Sequence, residues 1–240
     1  MYKIFALLQR APDTDWYAFR NILREDIPRA LRQIPAGKAI NRIEAFNVLE
    51  RDFRPTTNAD NHQWSGVLGL HFDSREEALA AAQDDVFIGA LSARSDMVSD
   101  WSISVVREVP VSEEDDYFEG SCKVFAFFTN TLPKDNPMSR EEMFNRWNEH
   151  AGRMQGARLD QLMNKFTQNQ VLPDFHAANP RYDYDGVSEI WFPSVEKGEL
   201  LFKNYDAEQT IIPSSAQMGG EPGGCVYLRT DEFDAYRRAD

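Results

Sequence analysis

A histidine in the stretch from Met138 to Met154 lies where it could transfer protons. The stretch opens with Ser139 and places Glu142 three residues later, which is the capping box that begins many helices. One face of this predicted helix is apolar and consists of Met143, Phe144, Trp147, Ala151 and Met154. His150 falls at the edge of that face, roughly 60° from its centre, so its ring is expected to point toward a core or pocket. Because imidazole titrates near neutral pH, His150 is a candidate general acid or base; a packed or surface histidine is the alternative.

No standard catalytic or metal-binding motif accompanies this histidine. The sequence has no GxSxG, HExxH, dinucleotide-binding or zinc-binding spacing. The GGEPGG run from Gly219 to Gly224 lacks the Lys-Ser/Thr pair and the helix of a phosphate-binding loop. The only two cysteines, Cys122 and Cys225, provide neither a disulfide framework nor a metal cluster. We therefore expect no metal and no cofactor.

Composition and charge narrow the class of protein. The chain of 240 residues is 42% hydrophobic and carries 39 acidic against 26 basic residues, a net charge of −13. Such an acidic surface disfavours nucleic acid and anionic membranes as partners. No apolar run approaches the roughly 20 residues of a membrane span, and the apolar N-terminus is short enough to be a strand rather than a signal peptide. The sequence thus favours a soluble, cytoplasmic, globular protein.

Strand and helix patterns occur in the same order twice. In residues 1–110 the predicted order is βαββαβ, with segments Tyr2–Gln9, Asp13–Ile34, Ala39–Arg51, Gln63–Phe72, Ser74–Arg94 and Trp101–Val109. Residues 111–121 form an acidic connector, and residues 122–240 repeat the order. YKIFALL can be laid over CKVFAFF, and WSGVLGLHFDS over YDGVSEIWFPS. This self-similarity predicts a tandem duplication with a pseudo-two-fold axis between the copies.

The two copies differ at the polar residues of the second copy that could take part in catalysis. Superposing them places Glu25 opposite His150, Phe46 opposite Asn169 and Leu68 opposite Ser188. The first copy therefore lacks the histidine, the amide and the hydroxyl.

The second copy resembles the EthD family of the dimeric α/β-barrel superfamily. The residues that carry the resemblance are Phe144, Trp147 and His150 on the helix, followed by QNQV from Gln168 and by YDGVSEIWF from Tyr184. The resemblance implies an α+β fold in which two tandem ferredoxin-like units pair sheet to sheet into one intramolecular barrel. Relatives in the superfamily include cofactor-free oxygenases, polyketide cyclases, lactone isomerases and haem-handling enzymes.

By the same resemblance, the ligand pocket is expected between the helices and the sheet of the second copy. Its candidate walls include Phe127, Trp147 and Ile190, beside Ser188, whose hydroxyl replaces a leucine of the first copy. His150 would be the proton carrier, and Asn169 or Ser188 would polarise a carbonyl or stabilise an enolate oxygen. For Asn169 a strand-end hydrogen bond is the alternative.

Two further polar residues, His176 and Glu189, can be explained without a role in catalysis. His176, in a loop rich in Pro, Asp and Asn, could reach over the pocket mouth, or it could be a solvated loop histidine. Glu189 would be costly to bury alone, so it needs a partner such as Arg181 or an exposed position. We interpret Glu189 as structural.

These features predict a cofactor-independent lyase, isomerase or cyclase that performs acid–base chemistry on a small hydrophobic or aromatic carbonyl compound. A cofactor-free oxygenase of an aromatic substrate is the alternative enzyme. A non-catalytic small-molecule-binding module is the alternative outside enzymes, and two-unit chains could form a homodimer.

Overall fold

The chain forms a closed barrel of antiparallel strands in a computed structural model that describes residues 1–51, 64–91, 96–113, 122–129, 138–156, 159–177, 184–207 and 225–238. The strands are β1 Tyr2–Arg10, β2 Arg42–Arg51, β3 Gly66–Phe72, β4 Val98–Glu113, β5 Cys122–Phe128, β6 Lys165–Val171, β7 Gly186–Phe192, β8 Cys225–Thr230 and β9 Phe233–Arg237. The helices are α1 Trp16–Asn21, α2 Ile27–Gln33, α3 Arg75–Ala82, α4 Asp85–Leu91, α5 Arg140–Gly156 and α6 Val195–Ala207.

Eight strands close the barrel in the order β3-β1-β4-β6-β7-β5-β8-β2, and β2 pairs with β3 to complete it. Each half of the chain contributes four neighbouring strands in the same ferredoxin-like order. The halves meet at two seams, β4 with β6 and β8 with β2, so both sides of the barrel are closed within one chain. This confirms the α+β class and the closed barrel.

The register of the first and third strands is the same in both halves, as the superposition of the two sequence copies predicts. Tyr2 lies opposite Phe72 in the first half, as Cys122 lies opposite Phe192 in the second. In the β5–β8 pair Cys225 lies opposite Phe128, which places it at the other end of the pair from Cys122. The two cysteines are therefore too far apart for a disulfide bond.

Several predicted elements differ from those observed. The predicted helix Asp13–Ile34 is α1 and α2 joined by the π-helical turn Ile22–Asp26, with Pro28 in the first turn of α2. The predicted helix from Ser74 is broken at Asp84, whose carboxylate accepts hydrogen bonds from the amides of Val86 and Phe87 and so begins α4. β4 continues to Glu113, into the predicted connector, because Ser112 and Glu113 pair with β6.

Some predicted segments lie outside the described residues, and one observed strand was not predicted. The predicted loop Gln209–Gly224 and Arg94 lie outside the described residues, as does Arg181. The sequence did not predict β9, which pairs with β2. None of the described helices is long and apolar enough to cross a membrane.

Residues alternate between the barrel interior and the helix layers. In β5, Phe125 and Phe127 pack in the interior against Phe5, with ring centroids 5.7 and 6.2 Å away. The next residue, Phe128, faces α5 and meets Trp147 edge to face at 4.6 Å. Gly186 allows this close packing, because a Cβ there would stand 2.4 Å from the Phe128 ring and 2.8 Å from Trp147.

Candidate functional site

The helix that carries His150 is fixed over the second sheet at its N-terminus. The Ser139 hydroxyl accepts a hydrogen bond from the Glu142 amide, as the capping pattern predicts. The Arg140 guanidinium is partly buried; it pairs with Asp185 at 2.7 Å and donates to the carbonyls of Leu172 and Phe175. α5 is thus attached to the segments that follow β6 and precede β7.

The layer between α5 and the sheet contains buried polar side chains. His150 is 4% exposed, and Trp147 lies one helical turn before it. Gln168 donates from Nε2 to the Trp147 carbonyl at 3.1 Å, which shows that its side chain faces the helix. Ser188 lies opposite Gln168 in the β6–β7 register and so faces the same layer. Ile190, two residues along β7, packs in the apolar cluster with Ala151 and Met154 of α5.

The strand positions of the first half that correspond to Gln168 and Ser188 are apolar, although Asn47, two residues after Ala45 in β2, is buried and polar. The equivalent register pair is Ala45 and Leu68, which are both fully buried and apolar. Glu25, the residue aligned with His150, is exposed and lies near Arg29. The amide oxygen of Gln168 is buried without a hydrogen-bond partner among the described residues. The polar group of the second half is therefore not a requirement of the fold.

Asn169 does not meet His150. It follows Gln168 in β6, so its side chain points to the barrel interior, where Nδ2 donates to Glu189 at 2.9 Å and to the Val187 carbonyl at 3.2 Å. Phe127 also faces the interior, where its ring centroid lies 5.3 Å from that of Tyr184. The expected pocket walls are thus divided between two faces of the sheet: His150, Trp147, Ser188 and Ile190 lie on the helix side, and Asn169 and Phe127 lie inside the barrel.

The barrel interior holds a network of buried charges that the sequence reasoning missed. Glu189 is fully buried between two lysines, with Lys123 at 2.7 Å and Lys3 at 2.9 Å, and Lys3 also pairs with Glu108 at 3.0 Å. At the same end of the barrel, the His71 Nε2 atom lies 2.6 Å from the Glu44 Oε2 atom. Glu189 is thus buried with Lys123 and Lys3 as its charged partners, and it is not exposed. The repeated Tyr-Lys-Ile-Phe and Cys-Lys-Val-Phe strands, each with a lysine inside an apolar run, were the available signal.

Paired charges shift the pKa values inside the barrel. Burial alone would raise the pKa of Glu189, but the charges of Lys123 and Lys3 lower it to about 2. The pKa of Glu44 is likewise held well below its usual value against the effect of burial, first by the hydrogen bond with His71 and then by the charge of Lys123. Glu189, followed by Glu108 and Glu44, raises the pKa of Lys3 although burial opposes this. All three groups stay charged near neutral pH.

Trp191 completes one side of this network. The Lys123 ammonium lies 4.1 Å from the Trp191 ring centroid and 3.9 Å from that of Phe46, within cation–π distance. A cavity of about 270 Å³ opens beside Trp191, His71 and Lys3 at the barrel end. The charges around it are paired with one another, so the network is best explained as a polar core that joins the two halves.

His176 lines a cavity that is separate from the layer that holds His150. It lines, with Phe175, a cavity of about 680 Å³ against Trp101 and Ile103 of β4 and the end of α3. The loop therefore reaches across to the first half and not over the layer that contains His150. Near it, the hydrogen bond from Arg75 lowers the pKa of Asp174.

No cluster of three or more metal-ligating side chains occurs in the part of the chain that the structure describes. The arrangement between α5 and the sheet offers an imidazole, a carboxamide and a hydroxyl. These groups can transfer a proton and donate hydrogen bonds to an oxygen.

Solved structures with the same fold come from several enzyme-like proteins. An anthrone oxidase-like protein superposes with a TM-score of 0.57 at 12% identity, over 98% of this chain and 92% of that one. A proposed monooxygenase of Fusobacterium nucleatum superposes with a TM-score of 0.51 at 6% identity, over 99% of this chain and 97% of that one. A mutant chlorite dismutase of Candidatus Nitrospira defluvii superposes with a TM-score of 0.50 at 9% identity, over 96% of this chain and 91% of that one. No protein-family model and no curated protein matches the sequence. At such identities the likeness shows a shared α+β barrel fold.

Proposed function

We propose that this protein is a small-molecule enzyme in which His150 transfers protons on a small hydrophobic or aromatic carbonyl compound. The reaction class is that of a lyase, isomerase or cyclase that needs no cofactor. The observation that carries the proposal is that His150 of α5 is buried, and that Gln168 and Ser188 are buried on the face of the sheet toward α5, at strand positions that are apolar in the first half.

The cost of burying these groups supports a functional role. A buried amide oxygen without a hydrogen bond costs about 1–3 kcal/mol, and the Gln168 oxygen has no hydrogen-bond partner among the described residues. Ala45 and Leu68 show that the fold packs well without such groups. A substrate that donates a hydrogen bond to the Gln168 oxygen would remove this cost.

Each side chain has a defined role in this proposal. His150 accepts a proton from the carbon next to the substrate carbonyl and returns it at another position. The Ser188 hydroxyl donates a hydrogen bond to the carbonyl oxygen as negative charge develops on it. Trp147 and Ile190 supply the apolar contacts that suit a hydrophobic or aromatic body. We place Asn169 outside this site, as a residue that holds Glu189 in position.

We also propose membership of the EthD family and an origin by tandem duplication. The helix motif with His150 supports the first, and the equal strand order and register of the two halves support the second. In this interpretation residues 1–110 are the copy without an active site and residues 122–240 are the active copy.

A cofactor-free oxygenase of an aromatic substrate is the second candidate. The fold neighbours described as anthrone oxidase-like and as a proposed monooxygenase favour it. Trp147 would then flank a substrate anion formed by His150. The two candidates share the proton abstraction and differ in whether oxygen is consumed.

One pair of assays separates the candidates. The full chain is incubated with phenylacetone in deuterated buffer, and solvent deuterium entering the carbon next to the carbonyl is followed by NMR. The same protein is incubated with anthrone in an oxygen electrode. Deuterium entry above the buffer rate without oxygen uptake supports the lyase or isomerase class, and oxygen uptake supports the oxygenase. Saturable binding of both compounds with neither reaction would indicate a binding module.

A further inference from the structure

A third cleft, distinct from the layer that holds His150, lies on the outside of the barrel where β4 and β6 join the two halves. Its volume is about 440 Å³. α5 forms one wall through Phe144, Asn145 and Asn148, and the start of α3 with the segment after β6 forms the other. We call this space the seam cleft.

The floor of the seam cleft is a row of register partners across three strands. Arg107 of β4 lies opposite Tyr2 of β1 on one side and Gln170 of β6 on the other. The Arg107 Nη2 atom donates to the Gln170 Oε1 atom at 2.7 Å, while Gln170 is buried. This bond orients the guanidinium, and Gln170 is its one hydrogen-bond partner among the described residues. A guanidinium has five N–H donors, so most of its fork can reach a ligand in the cleft.

The other lining groups favour an anion with an apolar body. Arg75 adds a second guanidinium, which is anchored by Asp174, and Glu141 is the acidic residue among the described lining residues. Asn145 and Asn148 supply amide donors from successive turns of α5. Phe144 and Leu172 provide apolar wall. A carboxylate matches the planar fork of arginine, and an aromatic ring matches these walls.

We propose that the seam cleft is a binding site for a small aromatic carboxylate, held by Arg107 and the amides of Asn145 and Asn148 with its ring against Phe144. The net charge of −13 repels anions in general, so binding requires the local guanidiniums. Phe144 also packs with Trp147 in one apolar cluster, so a ligand here would contact the helix that carries His150. The site itself does not depend on the function proposed for His150.

Calorimetric titration of the full chain with benzoate, benzamide and acetate tests the proposal. We expect saturable binding of benzoate, and binding at least about tenfold weaker for benzamide, which lacks the charge, and for acetate, which lacks the ring. Absence of saturable benzoate binding, or equal affinity for benzoate and either analogue, overturns it. This comparison needs only the unaltered protein.

Variants then locate the bound benzoate. Arg107→Gln should weaken benzoate binding at least about tenfold. Arg29→Gln makes the same charge change at an exposed position of α2, outside the cleft, and should leave the affinity unchanged. His150→Gln should also leave it unchanged. Equal affinities for Arg107→Gln and Arg29→Gln, or a loss of binding in His150→Gln, would place benzoate elsewhere and overturn the proposal.

Discussion

Glu189 shows how strongly a single buried charge can depend on its neighbours. Its carboxylate lies within 2.9 Å of both Lys3 and Lys123, and each lysine is almost fully buried. Neutralising it leaves two buried ammonium groups without their main counter-charge. We expect Glu189→Gln to lower the free energy of unfolding by about 3–5 kcal/mol.

Urea unfolding followed by fluorescence measures this loss. Glu76→Gln, an exposed substitution on α3 with the same charge change, is the matched control and should leave the unfolding midpoint nearly unchanged. Equal midpoints for the two variants would contradict a role for Glu189 in the polar core.

The same residues determine how stability depends on pH. The pKa of Glu189 falls from 4.5 to about 2 on folding, and the pKa of Glu44 falls as well. A carboxyl whose pKa is lower in the folded state binds fewer protons there, so its contribution is full above pH 4.5 and is lost as pH falls toward 2. We expect the unfolding free energy to decrease steeply through this acid range, and less steeply in Glu189→Gln. Urea titrations at a series of pH values measure both slopes, and parallel slopes would contradict this assignment.

The facing of β6 residues could not be predicted from the sequence. Lys165–Val171 reads KFTQNQV, with polar residues at both alternating sets of positions, and both faces of the strand are buried. The alternation of side chains along a strand therefore does not decide which set of residues faces the helices. A shift by one residue would turn Asn169 toward the helices and Gln168 into the barrel. The hydrogen bond from Gln168 to α5 decides the facing.

At the scale of elements, α5 was the most predictable part of the candidate site. Its capping serine and apolar period gave its start to within one residue, because both signals are local. Its attachment through Arg140 was not predictable, because the carbonyls of Leu172 and Phe175 come from a distant part of the chain. β9 was missed because FDAYR has no apolar run and is stabilised by pairing with β2.

Arg140 offers a test of how α5 is held. We expect Arg140→Ala to lower the unfolding free energy by about 2–3 kcal/mol, because it removes charged hydrogen bonds to buried groups. Hydrogen exchange in the first turns of α5 should also become faster. Arg146→Ala, which removes an exposed ion pair with Glu142 on the same helix, should cost about 0.5 kcal/mol or less. Equal exchange rates in the two variants would show that Arg140 does not anchor the helix.

At the scale of the whole molecule, the closed barrel depends on both halves. The sequence repeat predicted two similar sheets, and the seams β4–β6 and β8–β2 join them. The charged interior was not predictable, because sequence superposition relates equivalent residues and does not show that Lys3 and Glu189 meet across the barrel.

Separating the halves should therefore expose both an apolar face and unpaired strand edges. A fragment of residues 122–240 would expose Phe125, Phe127 and the edges of β6 and β8. We expect it to aggregate or to form a homodimer that replaces the missing half. Size-exclusion chromatography with light scattering distinguishes these states, and a stable soluble monomer would contradict the account of barrel closure.

The central claim concerns His150, and one comparison tests it most directly. The rate of deuterium entry into phenylacetone, or of oxygen uptake with anthrone if that is the reaction found, is measured for the unaltered chain, His150→Gln and Glu25→Gln. Glu25 is the aligned residue of the first half, and it is exposed. We expect His150→Gln to lower the rate by about 10²-fold with the unfolding free energy changed by no more than about 1 kcal/mol, and Glu25→Gln to keep the full rate. An unchanged rate in a folded His150→Gln variant would contradict the account.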